Sequence, residues 1–347
     1  MKIALYGICK NELAYVDRLL DTAKDADLVL IADTGSTDGT VERLKERGVE
    51  VHEIMVSPFR FDLARQHALS LLPDDVDVAV SVDMDEVLTP NWREVIERHW
   101  EVGKTTMLRY PYIHAWEDEA QTIPRITMQG FKVHCPKSYM WKYPLHEILE
   151  PIKEENLKLI DEQILIHYPD WTKEERGTRI DIIAREVKDN PQDERMAHLY
   201  GRELWLKQRW EEAIEALLHH LDITKAYTVE DMETRASTCT YIAKCFMSLS
   251  NDTKLDMTTR KQNAESAVVW LQRAVGEHPY QRGTWLTLAD AWMTLGDYAS
   301  AYACAVRGLA IKNRNASSET YEWFWDERAD KLLDEAKAKM LESVGHV

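Results

Sequence analysis

The chain has 347 residues, of which 45% are hydrophobic and 30% are charged, and this predicts two domains, or one domain followed by a repeat array. No window approaches the roughly 18 to 20 apolar residues that a membrane helix needs, and the N-terminus turns polar too early for a signal peptide, so we expect a cytoplasmic protein. The net charge of −17 gives no electrostatic reason to expect a nucleic-acid partner.

The first part of the chain alternates between short apolar runs and helical patterns. Buried strands are predicted at residues 3–9, 28–32, 49–55 and 76–82. Helices are predicted at residues 13–24, 37–47 and 61–72. This alternation predicts a mostly parallel sheet with helices on both faces, which binds ligands at the carboxyl ends of its strands. Residues 104–168 are aromatic-rich with weak periodicity, and we expect irregular strands and loops that complete the site.

From about residue 172 onward the pattern is helical and repeats, which indicates tetratricopeptide-like hairpins. The first unit is marked by Ala197, Tyr200, Gly201, Leu204, Trp210, Ala213 and Leu217. The middle unit is marked by Cys239, Ile242, Ala243, Phe246, Ala267, Leu271, Ala274 and Pro279. The third unit is marked by Trp285, Leu288, Ala289, Trp292, Gly296, Tyr298, Ala301 and Ala305. The middle unit carries a 12-residue insertion, and residues 320–344 are predicted to form a closing helix.

Two polar motifs follow predicted strands. Residues 33–40 read DTGSTDGT, in which glycines permit tight turns and Asp33 could accept hydrogen bonds from a base or ribose. The same residues could equally form only a turn and a helix cap. In Asp83-Met84-Asp85-Glu86, two carboxylates spaced i, i+2 could reach one hard cation such as Mg²⁺ or Mn²⁺.

Further candidates lie outside these two motifs. Arg65, one turn into a predicted helix, could hold a carboxylate or phosphate through two hydrogen bonds. Glu147 could serve as a general base, and His146 or His167 could complete a metal site. Each histidine could also have a purely structural role.

In chain order these motifs resemble family 2 glycosyltransferases, and more narrowly the bacterial and phage members with C-terminal tetratricopeptide repeats. The resemblance is carried by Lys10-Asn11-Glu12, the DTGSTDGT motif, Phe61-Asp62-x-Ala64-Arg65, Asp83-Met84-Asp85-Glu86, His146-Glu147 and His167. The chain departs from the family pattern at Gln66, where Asn is usual, and at Met84, where a small residue is usual.

The resemblance implies an α/β GT-A catalytic domain over residues 1–170 and an all-α repeat domain over residues 171–347. It implies an inverting, metal-dependent enzyme that moves a hexose, glucose or N-acetylglucosamine, from a UDP-sugar to an acceptor. Acceptors of such relatives are peptides or proteins, surface saccharides and hydroxymethylated DNA bases. We expect the repeats to hold the acceptor or to form a homodimer, in a bacterial or phage-infected cytoplasm.

The resemblance also implies roles for individual residues. Donor binding is expected of Lys10, Asn11, Glu12, Asp33, Gly35, Ser36, Arg65 and Asp83. Binding of Mn²⁺ or Mg²⁺ is expected of Asp83, Asp85 and His167, with His146 as the alternate. The catalytic base is expected to be Glu147, followed by Glu86 and Asp118 as further candidates.

Two other functions are compatible with parts of the pattern. A nucleotidyltransferase also uses a D-x-D pair with Mg²⁺, but it normally has a Gly-rich N-terminal signature with a basic residue, which this sequence lacks. The other is a non-catalytic, UDP-binding repeat scaffold. The intact Asp33, Asp83 and Asp85 argue against it, and UDP binding without turnover of any sugar would support it.

Overall fold

A computed structural model describes residues 1–168, 179–225, 228–312, 320–321 and 324–345. The described residues up to 168 form one compact unit, and those from 179 onward form a second. None of the described helices is both long and apolar enough to cross a membrane.

The first unit is built on strands with helices between them. Its strands are β1 (Ile3–Cys9), β2 (Leu28–Asp33), β3 (Glu50–Glu53), β4 (Val78–Val82), β5 (Glu86–Leu88), β6 (Met107–Trp116), β7 (Pro124–His134), β8 (Tyr139–Lys142), β9 (Ile148–Pro151), β10 (Leu157–Leu159) and β11 (Leu165–His167). Its helices are α1 (Leu13–Thr22), α2 (Thr40–Glu46), α3 (Phe61–Ser70) and α4 (Trp92–His99). Within the described residues of this unit, seven strands form one sheet in the order β10-β6-β7-β4-β1-β2-β3.

The central strands of this sheet are parallel. Strand β1 lies between β2 and β4, and both pairings are parallel, as is that of β2 with β3. The apolar side chains of these strands are fully buried, among them Leu5, Ile31 and Val80. The carboxyl ends of β1, β2 and β4 therefore meet at one edge, where the polar motifs follow them.

Helix α2 begins at Thr40, three positions later than predicted. The backbone of Gly39 is left-handed with φ +93°, and Asp38 accepts a hydrogen bond of 3.0 Å from the Thr40 amide. Residues 34–39 are therefore held in the turn and cannot extend the helix.

The expectation of irregular structure over residues 104–168 was wrong for its first half. Strands β6 and β7, of 10 and 11 residues, form a long antiparallel hairpin, and β7 joins the main sheet by pairing with β4. Register shifts near Leu108 and Ile113 interrupt the hairpin. Such irregularities break the period-two alternation by which a strand is recognised in a sequence.

The second unit is an array of helical hairpins. Its helices are α5 (Arg179–Asp189), α6 (Glu194–Leu206), α7 (Trp210–Ile223), α8 (Val229–Asn251), α9 (Met257–Glu277), α10 (Arg282–Leu295), α11 (Tyr298–Ala310) and α12 (Glu327–Gly345). The inserted residues lengthen both helices of the middle hairpin to 23 and 21 residues, against 13 or 14 in its neighbours. A Cβ atom at Gly201 would lie 2.5 Å from Leu217 Cγ, so a small residue is required where α6 and α7 cross.

The closing helix differs from its predicted range. Helix α12 begins at Glu327, and Thr320–Tyr321 form a short strand, β12. Asp326 accepts a 2.8 Å hydrogen bond from the Arg328 amide, which caps the helix at this point. The expected order of a mostly parallel α/β domain followed by an array of helical hairpins is confirmed.

A buried polar network links β1, β7 and β8 of the first unit. Trp141 Nε1 donates to the Tyr6 hydroxyl at 2.8 Å, and that hydroxyl lies 2.9 Å from His134 Nε2. All three side chains are buried. Burial lowers the pKa of His134 to about 4, so the imidazole is neutral in the folded protein at neutral pH.

The first unit should lose stability between pH 7 and pH 5. The unfolded chain protonates His134 below its ordinary pKa of about 6.5, whereas the folded chain does so only near pH 4. Because the unfolded state binds more protons in this range, His134 should remove about 2 kcal/mol of the free energy of unfolding by pH 5. Urea unfolding at both pH values tests this. His134→Gln should flatten the pH dependence, whereas the exposed control His67→Gln should not; equal slopes for both would contradict the assignment.

Candidate active site

The loops that follow β1 and β2 are tied together by hydrogen bonds. The Asn11 amide donates to Ser36 Oγ at 2.8 Å, and Asn11 Oδ1 accepts from the Thr37 amide at 2.8 Å. The Glu12 amide donates to Thr40 Oγ1 at 2.9 Å. The loops that carry residues 10–12 and 33–40 are therefore joined at the carboxyl edge of the sheet, where the exposed Lys10, Asn11, Gly35 and Thr37 form a polar surface.

Asp33 lies beneath this surface and is 2% exposed. Its Oδ2 accepts from the amides of Gly35 at 2.8 Å and Ser36 at 2.9 Å, and its Oδ1 accepts from the Ser36 hydroxyl and the Cys9 thiol. Burial opposes ionisation, but these hydrogen bonds hold the pKa of Asp33 below its usual range. Asp33 thus shapes the turn, in which Gly35 has φ +101°, and its direct contact with a base or ribose stays a prediction.

Arg65 connects two carboxylates that are far apart in the sequence. From α3 its Nε donates to Glu147 Oε1 at 2.5 Å, and its Nη2 donates to Asp83 Oδ1. The guanidinium carbon lies 5.1 Å from the centroid of the Trp141 ring. Arg65 is only 6% exposed. Burial works against its charge, but Asp83 and Glu147 raise the pKa of Arg65 above its ordinary value, so the side chain stays ionised.

Arg65, Asp83 and Glu147 form a cluster that contains a second cation, Lys132 on β7. This lysine was not identified from the sequence. Its Nζ lies 2.6 Å from Asp83 Oδ2 and 2.7 Å from Glu86 Oε1. The fully buried Glu86 also accepts hydrogen bonds from the Tyr112 hydroxyl and from the Asp83 amide. The only local signal was a lysine within an aromatic-rich segment, which does not reveal its partners.

Asp85 and His167 lie together beside this cluster. Strand β11 pairs antiparallel with β5 and sets His167 opposite Glu86, which leaves His167 Nε2 3.5 Å from Asp85 Oδ2. His167 Nδ1 lies 2.7 Å from the carbonyl oxygen of His114, so an Nδ1–H tautomer would donate there and keep the Nε2 lone pair for another ligand. Arg18 holds the turn by donating to the carbonyls of Asp85 and Tyr168.

The donor chemistry of this pair suits a divalent cation. One carboxylate and one imidazole are ligands that Mn²⁺ accepts, and both side chains keep 21 to 24% of their surface exposed. Within the described part of the chain, however, no three His, Cys, Asp or Glu side chains form a ready metal site. The three-residue set of Asp83, Asp85 and His167 stays a prediction, as does His146, which adopts a left-handed backbone with φ +53° next to Glu147.

The three candidate bases occupy different environments. Glu147 keeps 13% of its side chain exposed at the cluster, whereas Glu86 is fully buried below Asp83. Asp118 lies in the turn between β6 and β7, where Thr122 donates to it and lowers its pKa. Of the three, Glu147 combines access with contact to the cluster.

The two departures from the family pattern have structural roles. Gln66 Oε1 accepts a 2.9 Å hydrogen bond from the Trp141 amide and so anchors β8 against α3. Met84 is 3% exposed and packs in the main hydrophobic core of the first unit.

Comparison with known proteins gives no family assignment. No family model matches the chain, and no curated protein sequence matches it significantly.

Parts of the chain resemble solved structures. The glucosyl-3-phosphoglycerate synthase from Mycobacterium tuberculosis, in complex with Mn²⁺, uridine-diphosphate and phosphoglyceric acid, aligns over 32% of this chain and 43% of its own, with 20% identity and a TM-score of 0.27. TTC0263, a thermophilic TPR protein of Thermus thermophilus, aligns over 47% of this chain and 73% of its own, with 18% identity and a TM-score of 0.36. MamA aligns over 48% of this chain and 90% of its own, with 14% identity and a TM-score of 0.30.

Proposed function

We propose that this chain is an inverting, metal-dependent glycosyltransferase that moves a hexose, glucose or N-acetylglucosamine, from a UDP-sugar to an acceptor. The observation that carries the proposal is the arrangement around Arg65. The buried guanidinium of Arg65 contacts both Asp83, just after β4, and Glu147, just before β9. The Asp85–His167 pair lies beside these residues. The cluster lies at the carboxyl edge of a parallel sheet, where such folds bind nucleotides.

The donor would lie along the joined loops after β1 and β2. The exposed Lys10 beside these loops is suited to the diphosphate. A divalent cation held by Asp85 and His167 would supply positive charge to neutralise the departing diphosphate. Asp83 is available to the ribose through the lone pairs that Arg65 and Lys132 leave free.

The chemical step would be a single displacement at the sugar. The acceptor oxygen or other nucleophilic atom forms a bond to C1 of the hexose, and the bond from C1 to the diphosphate oxygen breaks with its electron pair leaving on UDP. The Glu147 carboxylate takes the proton of the acceptor. Arg65, 2.5 Å from Glu147, orients that carboxylate.

The acceptor in this proposal is a peptide or protein, a surface saccharide or a hydroxymethylated DNA base in a bacterial or phage-infected cytoplasm. The second unit is an array of helical hairpins, and such arrays hold extended partners on their stacked surfaces. We therefore assign acceptor binding, or formation of a homodimer, to that unit.

Calorimetric titration of UDP, with Mn²⁺ and with a chelator, tests the donor and metal assignments together. The full chain should bind UDP more tightly with Mn²⁺, and Asp85→Ala should remove this difference because it deletes a proposed metal ligand. Asp74→Ala, which replaces an exposed aspartate on the surface, should behave as the wild type. Equal UDP affinity of the wild type in both conditions would refute metal-dependent binding. Hydrolysis of UDP-glucose and UDP-N-acetylglucosamine is followed in parallel, and UDP binding without turnover of either would favour a scaffold.

A further inference from the structure

The two aspartates of the Asp83-Met84-Asp85 motif have different surroundings. Asp83 Oδ1 accepts from Arg65, and its Oδ2 accepts from Lys132 at 2.6 Å. Both cations are largely buried, with 7% and 13% of their side chains exposed. Asp85 instead faces His167 Nε2 at 3.5 Å. A protein cation is thus bound to each oxygen of Asp83, and charge-assisted hydrogen bonds of this kind are strong.

Lys132 is held firmly at this position. Its Nζ also contacts Glu86 Oε1 at 2.7 Å and lies 5.9 Å from the centroid of the Tyr112 ring. If Lys132 moved away to free Asp83 for a metal, it would leave the fully buried Glu86 without its cation. Uncompensated buried charges are costly, so this movement is disfavoured.

We propose that Lys132 is a positioning residue that, together with Arg65, keeps Asp83 from ligating the metal and leaves the divalent cation to Asp85 and His167. This inference rests on the proposed function for the cation's role, but the binding of the cation can be measured without donor or acceptor. The inference predicts that loss of the positive charge of Lys132 strengthens cation binding. If Lys132 only maintained the structure of the site, its loss would weaken cation binding.

The first test is titration of Mn²⁺ alone into the folded full chain, followed by the electron paramagnetic resonance signal of free Mn²⁺. Lys132→Met removes one positive charge and releases Oδ2 of Asp83, so Mn²⁺ should bind about tenfold more tightly. Lys132→Arg keeps the charge and should restore the affinity of the wild type. Lys158→Met, which removes a lysine of β10 that pairs with Glu101, serves as the matched control and should change nothing. Unchanged or weaker Mn²⁺ binding by folded Lys132→Met would overturn the inference.

A second comparison decides the matter if Lys132→Met does not fold. Asp83→Asn and Asp85→Asn each remove one negative charge, two positions apart. The difference between their Mn²⁺ affinities therefore reports which side chain ligates the metal directly. Asp85→Asn should weaken Mn²⁺ binding at least about tenfold more than Asp83→Asn. Equal losses, or no Mn²⁺ binding by the wild type, would overturn the inference. A clear difference in Mn²⁺ affinity between the two variants would uphold the inference even if the wild type did not turn over UDP-sugars. The absence of turnover would refute only the proposed function.

Discussion

Replacement of Glu147 by glutamine is expected to lower turnover by about 10² to 10⁴ while donor affinity changes little. The glutamine side chain would keep the shape of the glutamate and could still accept the hydrogen bond from Arg65 Nε, which Glu147 accepts at 2.5 Å. It would lack the basicity needed to take the acceptor proton. Hydrolysis of the UDP-sugar under single-turnover conditions measures the chemical step, and calorimetry with UDP measures donor binding.

Glu150→Gln provides the matched control for this prediction. Glu150 lies three residues further on in β9, where it pairs with Lys142 and keeps 39% of its side chain exposed. Its replacement should leave both turnover and UDP affinity unchanged. If Glu147→Gln turned over at the rate of the wild type, the base would have to be sought elsewhere. A parallel loss of UDP affinity would point instead to a damaged site.

Replacement of Arg65 by methionine should cost about 3 to 5 kcal/mol of the free energy of unfolding of the first unit. The reason is that Glu147 would lose the buried cation that compensates it, and Asp83 would keep only Lys132. Methionine fills much of the same volume, so the loss would report charge rather than a cavity. Urea denaturation followed by tryptophan fluorescence measures the change, since Trp141 lies against Arg65.

Arg43→Met is the control for burial. Arg43 also binds a carboxylate with two nitrogens, but its partner Asp17 keeps 51% of its side chain exposed. Water screens such a pair, so its removal should cost far less than the removal of Arg65. Similar losses of unfolding free energy for Arg65→Met and Arg43→Met would contradict this prediction. They would show that the buried ion pairs of Arg65 stabilise the fold no more than an exposed pair does.

Much of the architecture could be predicted because its causes are local. The apolar runs that became β1 to β4 predict strands without reference to any other part of the chain. The spacing of small residues such as Gly201 predicts where two helices of a hairpin touch, and Leu217 indeed contacts that position. The motifs after the strands could be located for the same reason, since the carboxyl ends of parallel strands necessarily meet at one edge.

The partners of the site residues could not be predicted in this way. Arg65 and Glu147 are 82 positions apart, and Lys132 is 49 positions from Asp83. No periodicity relates such residues, because their contact depends on how β7 pairs with β4 and on where the loop before β9 lies. That hairpin was itself missed, since its register shifts hide the alternation of its side chains.

The sequence by itself therefore determined the order of the elements, the repeat array and the edge of the sheet where carboxylates gather. These features follow from hydrophobic periodicity and turn residues, which act over a few positions. Only the tertiary structure decided that Asp33 turns inward to hold its own loop, and that Asp83 is bound by two cations while Asp85 faces His167. Electrostatic pairing depends on distance in space, and the burial that gives it strength exists only once the chain has folded.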